Sequence, residues 1–278
     1  MNRAELQELF RETVRSASPS AGAFERLAQA VFDLYKSGDG RFKQHIKNRS
    51  RRVTEATGQS FGENNFSIEM AKAFIADEVG FGGWGPLIDA VNDPAKRRYP
   101  LLFEYAIAAL WRGDFTSIEM TLGQEQFHTQ VLEWFEKGLF SNEQETLDEL
   151  LSASCWLGHV ETAEYLLEQG VDPYAGMRSW LAGPHWAASA GRPDVIRMLL
   201  DRKIPLEVEN RYGGTVLGQA LWSAINEHTD SHAEVIELLV AGGAYVWPDT
   251  LEWWEKQEVP SEKTKKRVAK AISMAKNK

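Results

Sequence analysis

Apolar residues recur at helical spacing along most of this chain, with polar residues between them. In the N-terminal part, this spacing predicts helices at residues 2–16, 22–36, 39–48, 67–79 and 84–92. Glycine, proline and other turn-forming residues separate these segments, as expected for short connections between helices. The pattern predicts an all-α protein whose first 95 or so residues do not repeat.

A second pattern, a repeat of 33 residues, follows in the rest of the chain. Gly158 and Gly191 are 33 residues apart, and so are Pro184 and Leu217. Each copy predicts two short helices and a glycine where the chain leaves a helix with positive φ. A single copy cannot bury its own apolar face, so we expect the copies to stack into a solenoid.

These copies resemble the ankyrin repeat. The motifs that carry the resemblance are Gly158-His159, Gly170-Val171-Asp172, His185, Ala187-Ala188 and Gly213-x-Thr215. The resemblance implies an ankyrin-repeat solenoid of about four to five repeats, two of them with insertions, preceded by a small helical domain. It also implies a structural role for His185, bonded to the backbone of a turn.

Insertions interrupt two of the copies. Glu234 follows Asp194 by 40 residues rather than 33, so seven extra residues lie within residues 224–233. Gly113 precedes Gly158 by 45 residues, and the excess includes the amphipathic segment 124–140, which predicts an added helix. Two further helices are predicted at 248–257 and 261–276, the last as a cap of the solenoid.

The residues before the repeats resemble a small helical module found ahead of ankyrin repeats in many bacterial proteins. The resemblance covers roughly residues 25–92 and is strongest around Gly80-Phe81 and Trp84, although Asp77 stands where arginine is usual. It implies a bacterial cytosolic protein but no chemistry. We expect an N-terminal helical domain at 1–98 and a repeat domain at 99–278, docked without a flexible linker.

Charge is distributed unevenly around the formal net value of -9. Residues 53–261 hold 33 acidic and 13 basic side chains, whereas 41–52 and 262–278 are basic. Because an acidic body repels phosphate backbones, we do not expect nucleic acid as the ligand. We expect a protein partner, for which a basic composition is favoured, or a small aromatic or cationic ligand as the alternative. The basic stretches are interpreted as solvated helix faces, with local phosphate contact as the alternative.

Membrane, secretory and enzymatic signals are weak in this sequence. Cys155 is the single cysteine, no apolar segment follows the charged residues of positions 1–10, and no apolar run approaches ~18 residues. We therefore expect a cytoplasmic protein. The glycine-rich residues 80–85 lack the pattern of a phosphate loop and predict a turn with Phe81 and Trp84 in the core. His228 and His232 are four residues apart, but histidines in polar loops are common, and we predict no metal and no cofactor.

A column of tryptophans is the strongest functional feature. Two positions before each repeat glycine, or its equivalent, stand Trp111, Trp156, Ser189 and Trp222. The ankyrin resemblance places this column and the next on an exposed concave face, where tryptophans favour partner contact. The alternative is internal packing beneath the 124–140 helix or the N-terminal domain. The predicted binding residues are Trp111, Arg112, Trp156, Leu157, Arg178, Trp180, Ser189, Arg211, Tyr212 and Trp222.

Two classes of function stay open at this point. The first is a protein-binding module, acting as a scaffold or as an inhibitor of the immunity type, centred on Trp156, Trp222, Arg211 and Tyr212. The second is a small-molecule or catalytic site in an aromatic pocket, with Glu104, Glu133 or Glu136 as the available acid/base groups. We find no sequence signature of catalysis.

Overall fold

The computed structural model describes residues 1–57, 65–176, 178, 180–227 and 229–275, with side chains for all of these except 49–57. Helix accounts for most of these residues, and they contain no strand, which confirms the all-α prediction. Contacts divide the chain into two compact units, residues 1–112 and 113–278. The first unit thus ends later than position 98, because the helix that follows this position packs within it.

The first unit consists of six α-helices and one turn of 3₁₀-helix among its described residues. The α-helices are α1 (Arg3–Arg15), α2 (Ala21–Lys36), α3 (Gly40–Thr57), α4 (Ile68–Val79), α5 (Trp84–Asn92) and α6 (Leu101–Trp111). The five helices predicted from periodicity are confirmed, although α3 extends nine residues beyond its expected end at 48. Helix α4 is central, since α2, α3, α5 and α6 all pack against it.

Helix α6 approaches the end of α4 closely at Gly80. Gly80 has a φ of +94°, and a Cβ at this position would lie 3.1 Å from the Ala108 Cβ atom. The glycine-rich segment that follows is a turn, as predicted, and Leu87 of α5 is buried beyond it. Phe81 and Trp84 were expected in the core, but both side chains are half-buried, with the Lys72 ammonium over the Trp84 ring.

Helices of the second unit form pairs. Their bounds are α7 (Phe115–Leu122), α8 (Phe127–Glu136), α9 (Gln144–Leu157), α10 (Val160–Glu168), α11 (Gly183–Ser189), α12 (Pro193–Asp201), α13 (Val216–Asn226), α14 (His232–Ala241), α15 (Thr250–Glu255) and α16 (Glu262–Ala275). Helices α9, α11 and α13 pack side by side in one row, and α10, α12 and α14 pack in a second. Helix α16 packs on α14 at the end of the second row.

The two segments that the sequence predicts as insertions differ in structure. The 124–140 segment contains helix α8, whose Phe127 ring stacks on His159 with centroids 4.2 Å apart. The third-copy insertion falls between Asn226 at the end of α13 and His232 at the start of α14. Ser231, next to α14, donates to the carbonyl of Gly191, so this end of the insertion is fixed to the preceding pair.

Candidate functional site

The predicted tryptophan column does not present a continuous exposed face in the second unit. Trp222 is 50% exposed. Trp156 is less exposed, and its ring centroid lies 6.1 Å from that of Phe115. Leu157 and Ser189 are buried, although the sequence places both on an exposed face. The Ser189 hydroxyl lies 3.1 Å from that of Ser223, within a polar network that satisfies it inside the unit.

Two predicted binding residues belong to the first unit, and one of them is a buried structural residue. The Arg112 guanidinium donates to the carbonyls of Asp77 and Glu78 at the C-terminus of α4, and it also pairs with the Glu78 carboxylate at 3.5 Å. Carbonyl groups at a helix C-terminus attract a cation. Arg112 therefore holds α6 to α4, contrary to the expected exposed position, whereas Trp111 is 44% exposed.

Arg211 and Tyr212 lie on a tight turn that is organised by Asn210. The Asn210 side-chain oxygen accepts from the backbone N–H groups of Tyr212 and Gly214, at 2.9 and 3.0 Å. Its side-chain nitrogen donates to Gln219 in the buried face of α13. Asn210 is itself buried, so the turn is anchored from below and Tyr212 is left 74% exposed.

Trp180, on the preceding connection, completes an aromatic cluster with this turn. The rings of Trp180 and Tyr212 stack with centroids 5.6 Å apart, and the Arg211 guanidinium lies 5.4 Å from the Trp180 centroid. The Arg211 N–H also donates to the Trp180 carbonyl. Trp180 has a φ of +72°, which is uncommon for a bulky residue and costs about 1–2 kcal/mol. We call Trp180, Arg211 and Tyr212 the turn cluster.

An acidic cleft adjoins the turn cluster. Its volume is about 290 Å³, and its lining consists of Glu145, Asp148, Glu149, Ala175, Arg178 and Arg211. Arg178 forms an ion pair with Glu145, and its backbone N–H donates to Glu149 Oε1 at 2.9 Å. The predicted residues Arg178, Trp180, Arg211 and Tyr212 therefore meet in one place, through the cleft and through the rings beside it.

Glu149 is the least expected member of the cleft. It is only 2% exposed, and its Oε2 atom has no hydrogen-bond donor among the residues that the structure describes. Burial raises the pKa of Glu149, against the opposing effects of the hydrogen bond from Arg178 and of its charge. Burial also raises the pKa of Asp148. The sequence does not reveal these residues, because a glutamate in a helix usually indicates a solvated position.

Further exposed aromatic residues follow on the next connection. Tyr245 and Trp247 are 51% and 62% exposed, and their rings meet edge to face at 4.9 Å. The Tyr245 N–H donates to the Glu207 carboxylate, which joins this connection to the one that carries Tyr212. Sequence reasoning missed both residues, although their place directly after α14 matches the turn segments of the earlier pairs.

His185 and His232 have structural roles. His185 Nε2 donates to the carbonyl of Val208 at 3.0 Å, the turn contact that the sequence implies, and burial lowers the pKa of His185. His232 donates to the Ser189 carbonyl and accepts from the Thr229 N–H, so both its ring nitrogens are engaged. His228 lies outside the described residues. Within them, no group of three or more potential metal ligands occurs.

The carboxylates considered for acid/base chemistry do not form a site in either unit. Glu133 forms an ion pair with Lys137, whose hydrogen bond lowers the pKa of Glu133. A lowered pKa suits an ion pair and not a general acid. Glu136 is exposed on the same helix, and Glu104 of the first unit accepts from the backbone N–H of Tyr99.

Comparison with known proteins identifies no family for this chain. No family model matches it. A stretch of 89 residues is 32% identical to the E3 ubiquitin-protein ligase hecd-1 of Caenorhabditis elegans. This match covers 32% of the chain and only 3% of the length of the ligase. No helix in the described part of the chain is long and apolar enough to cross a membrane.

Proposed function

We propose that residues 113–278 form an ankyrin-like repeat module that binds another protein. The support is the 33-residue period together with the three helix pairs α9/α10, α11/α12 and α13/α14, which pack in two rows. The α15 and α16 helices then act as the terminal cap, which covers the apolar face of the last pair. A cytoplasmic location and a bacterial origin stay predictions of the sequence.

The turn cluster is the observation that carries this proposal. Tryptophan, tyrosine and arginine are the side chains most enriched at the energetic centres of protein interfaces. Here one of each is held together on an exposed surface, on two successive connections. Trp180 also keeps a left-handed backbone conformation, and such strain is typical of functional positions. The proposed binding surface therefore lies on these two turns and not on the tryptophan column that the sequence predicts.

Charge defines the partner. The second unit is acidic between residues 113 and 261, with 25 acidic and 8 basic side chains. Asp172, Glu207 and Glu209 lie on the connections that also carry the turn cluster. A partner segment rich in arginine and lysine is therefore attracted to this surface, and its association is accelerated by the opposite charge. Scaffolding and inhibition both follow from such binding.

A selection from a library of displayed random peptides tests the proposal. We expect the full chain to enrich basic peptides, and we expect the double variant Trp180→Ala/Tyr212→Ala to bind them about 30-fold or more weakly. The matched control is Trp222→Ala, since Trp222 is a half-exposed tryptophan outside the turn cluster. Selected peptides that lose binding only with Trp222→Ala would overturn the proposal in favour of the tryptophan column.

A further inference from the structure

The cleft beside the turn cluster has more acidic groups than its own cations neutralise. Of its three carboxylates, Glu145 is paired with Arg178. Arg211 is the second cation of the lining, so three carboxylates face two guanidinium groups. The lining therefore has one carboxylate more than it has guanidinium groups, and the volume of the cleft, about 290 Å³, is enough for one long side chain.

Glu149 points to a missing hydrogen-bond donor. One of its carboxylate oxygens accepts from the Arg178 backbone, whereas Oε2 is buried without a donor among the described residues. An unsatisfied buried acceptor costs about 1–3 kcal/mol, and more when it is charged. A ligand that brings an N–H group to this oxygen recovers that energy, and a cationic donor recovers most.

The aromatic neighbours favour the same chemistry. Trp180 already has a guanidinium at 5.4 Å from its ring, which shows that the ring accepts a cation in this surface. Tyr212, stacked on Trp180, is the most exposed large apolar side chain of the second unit's described residues. Aromatic faces attract cations, and the alkyl part of an arginine or lysine packs on such rings.

We propose that the cleft binds the cationic side chain of an arginine or lysine from the partner segment, with Glu149 Oε2 accepting its N–H. The inference rests on the proposed function, because it names the side chain that the turn cluster directs into the cleft. Asp148 stabilises the same positive charge from the neighbouring position of α9. An anion is disfavoured, since it would face both of these carboxylates.

Titration with small model compounds tests this inference on the full chain. The probes are N-acetylarginine amide and N-acetyllysine amide, and the neutral control is N-acetylcitrulline amide, which has nearly the shape of the arginine compound. We expect the cationic probes to shift tryptophan indole resonances in NMR spectra and the citrulline compound to leave them unchanged. We expect Glu149→Gln to weaken arginine binding about tenfold or more.

Three variants make the outcome decisive. Asp148→Asn is a second removal of charge from the cleft, and Glu161→Gln is the matched control on an exposed position of α10. Equal binding of the arginine and citrulline compounds, or equal binding by Glu149→Gln and Glu161→Gln, overturns the inference. Displayed peptides that still need Trp180 and Tyr212 would in that case leave the proposed function standing. Arginine binding without any role of these rings in peptide binding would overturn the proposed function, and with it the assignment of the cation to a partner segment.

Discussion

The rings of Trp180 and Tyr212 stack at 5.6 Å although 32 positions separate them along the chain. Each residue lies on the connection before a helix of the row α9, α11 and α13: Trp180 precedes α11, and Tyr212 precedes α13. The packing of α11 against α13 brings these connections together, so the contact is a product of the repeat and not of local sequence. Repetition of a turn thereby creates a surface that no single helix pair possesses.

Strain at Trp180 leads to a prediction about its substitution. Alanine keeps the Cβ atom that disfavours a φ of +72°, whereas glycine removes it. We therefore expect Trp180→Gly to be about 1 kcal/mol more stable than Trp180→Ala, although glycine is the more flexible residue. Urea unfolding of the two variants measures this difference. Higher stability of Trp180→Ala would show that the tryptophan backbone is not strained.

Asn210 provides a prediction about how the turn is held. Asn210→Ala removes the acceptor for two backbone N–H groups and the donor to Gln219, and we expect a loss of about 1–3 kcal/mol. Asn210→Asp keeps the acceptor and should lose less stability. Urea unfolding and binding of the selected peptides measure both variants. A wild-type stability of Asn210→Ala would show that the turn forms without this side chain.

The sequence predicts helices and their order well, because apolar periodicity directly reflects which face of a helix is buried. It predicts less well which polar side chains are buried. Arg112 and Ser189 occupy positions that the repeat pattern places at the surface, yet each finds partners on a segment 30 or more residues away. Such partners satisfy a polar group inside the protein, and periodicity contains no information about them.

Only part of the candidate site can be predicted from the sequence, because the rest depends on contacts between distant segments. Arg211 and Tyr212 stand before a turn glycine, where stacking of the repeats does not explain an arginine and an aromatic ring. Glu149 could not be recognised, because its burial depends on the Arg178 backbone and on the connection after α10. The cleft forms where α9 meets the connections that carry Arg178 and Arg211, and only the structure shows this contact.

Arg112 leads to a prediction that separates a structural role from binding. Replacing it with alanine leaves Glu78 buried without this cation, and we expect a loss of about 3–5 kcal/mol. A second substitution, Arg112→Met with Glu78→Gln, should recover part of this loss because the buried charge is also removed. The matched control is Arg26→Ala on the exposed face of α2.

Thermal and urea unfolding of the full chain measure these Arg112 variants, and peptide binding is measured on each folded variant. An unchanged stability of Arg112→Ala with weakened binding would restore Arg112 to the binding surface that the sequence predicts.

Glu149 leads to a prediction about pH, because the burial of its carboxyl group raises its pKa. Burial raises its pKa above the ordinary value of 4.5, so the folded protein retains a proton that the unfolded chain has released. Stability then falls as the pH rises between the two pKa values. Residue 149 cannot titrate in Glu149→Gln, so the stability of this variant relative to the parent protein should increase as the pH rises above the ordinary pKa of 4.5.

The groups that face Glu149 are Glu145 and Asp148 on its own helix, and Arg178 and Arg211 from the two connections. These groups are present in both the parent protein and Glu149→Gln, so the difference in their free energies of unfolding reports the titration of Glu149. Urea unfolding at several pH values measures it, with Glu161→Gln as the control whose difference should stay flat. A difference for Glu149→Gln that stays constant or shrinks as the pH rises would contradict a proton held on Glu149 by burial.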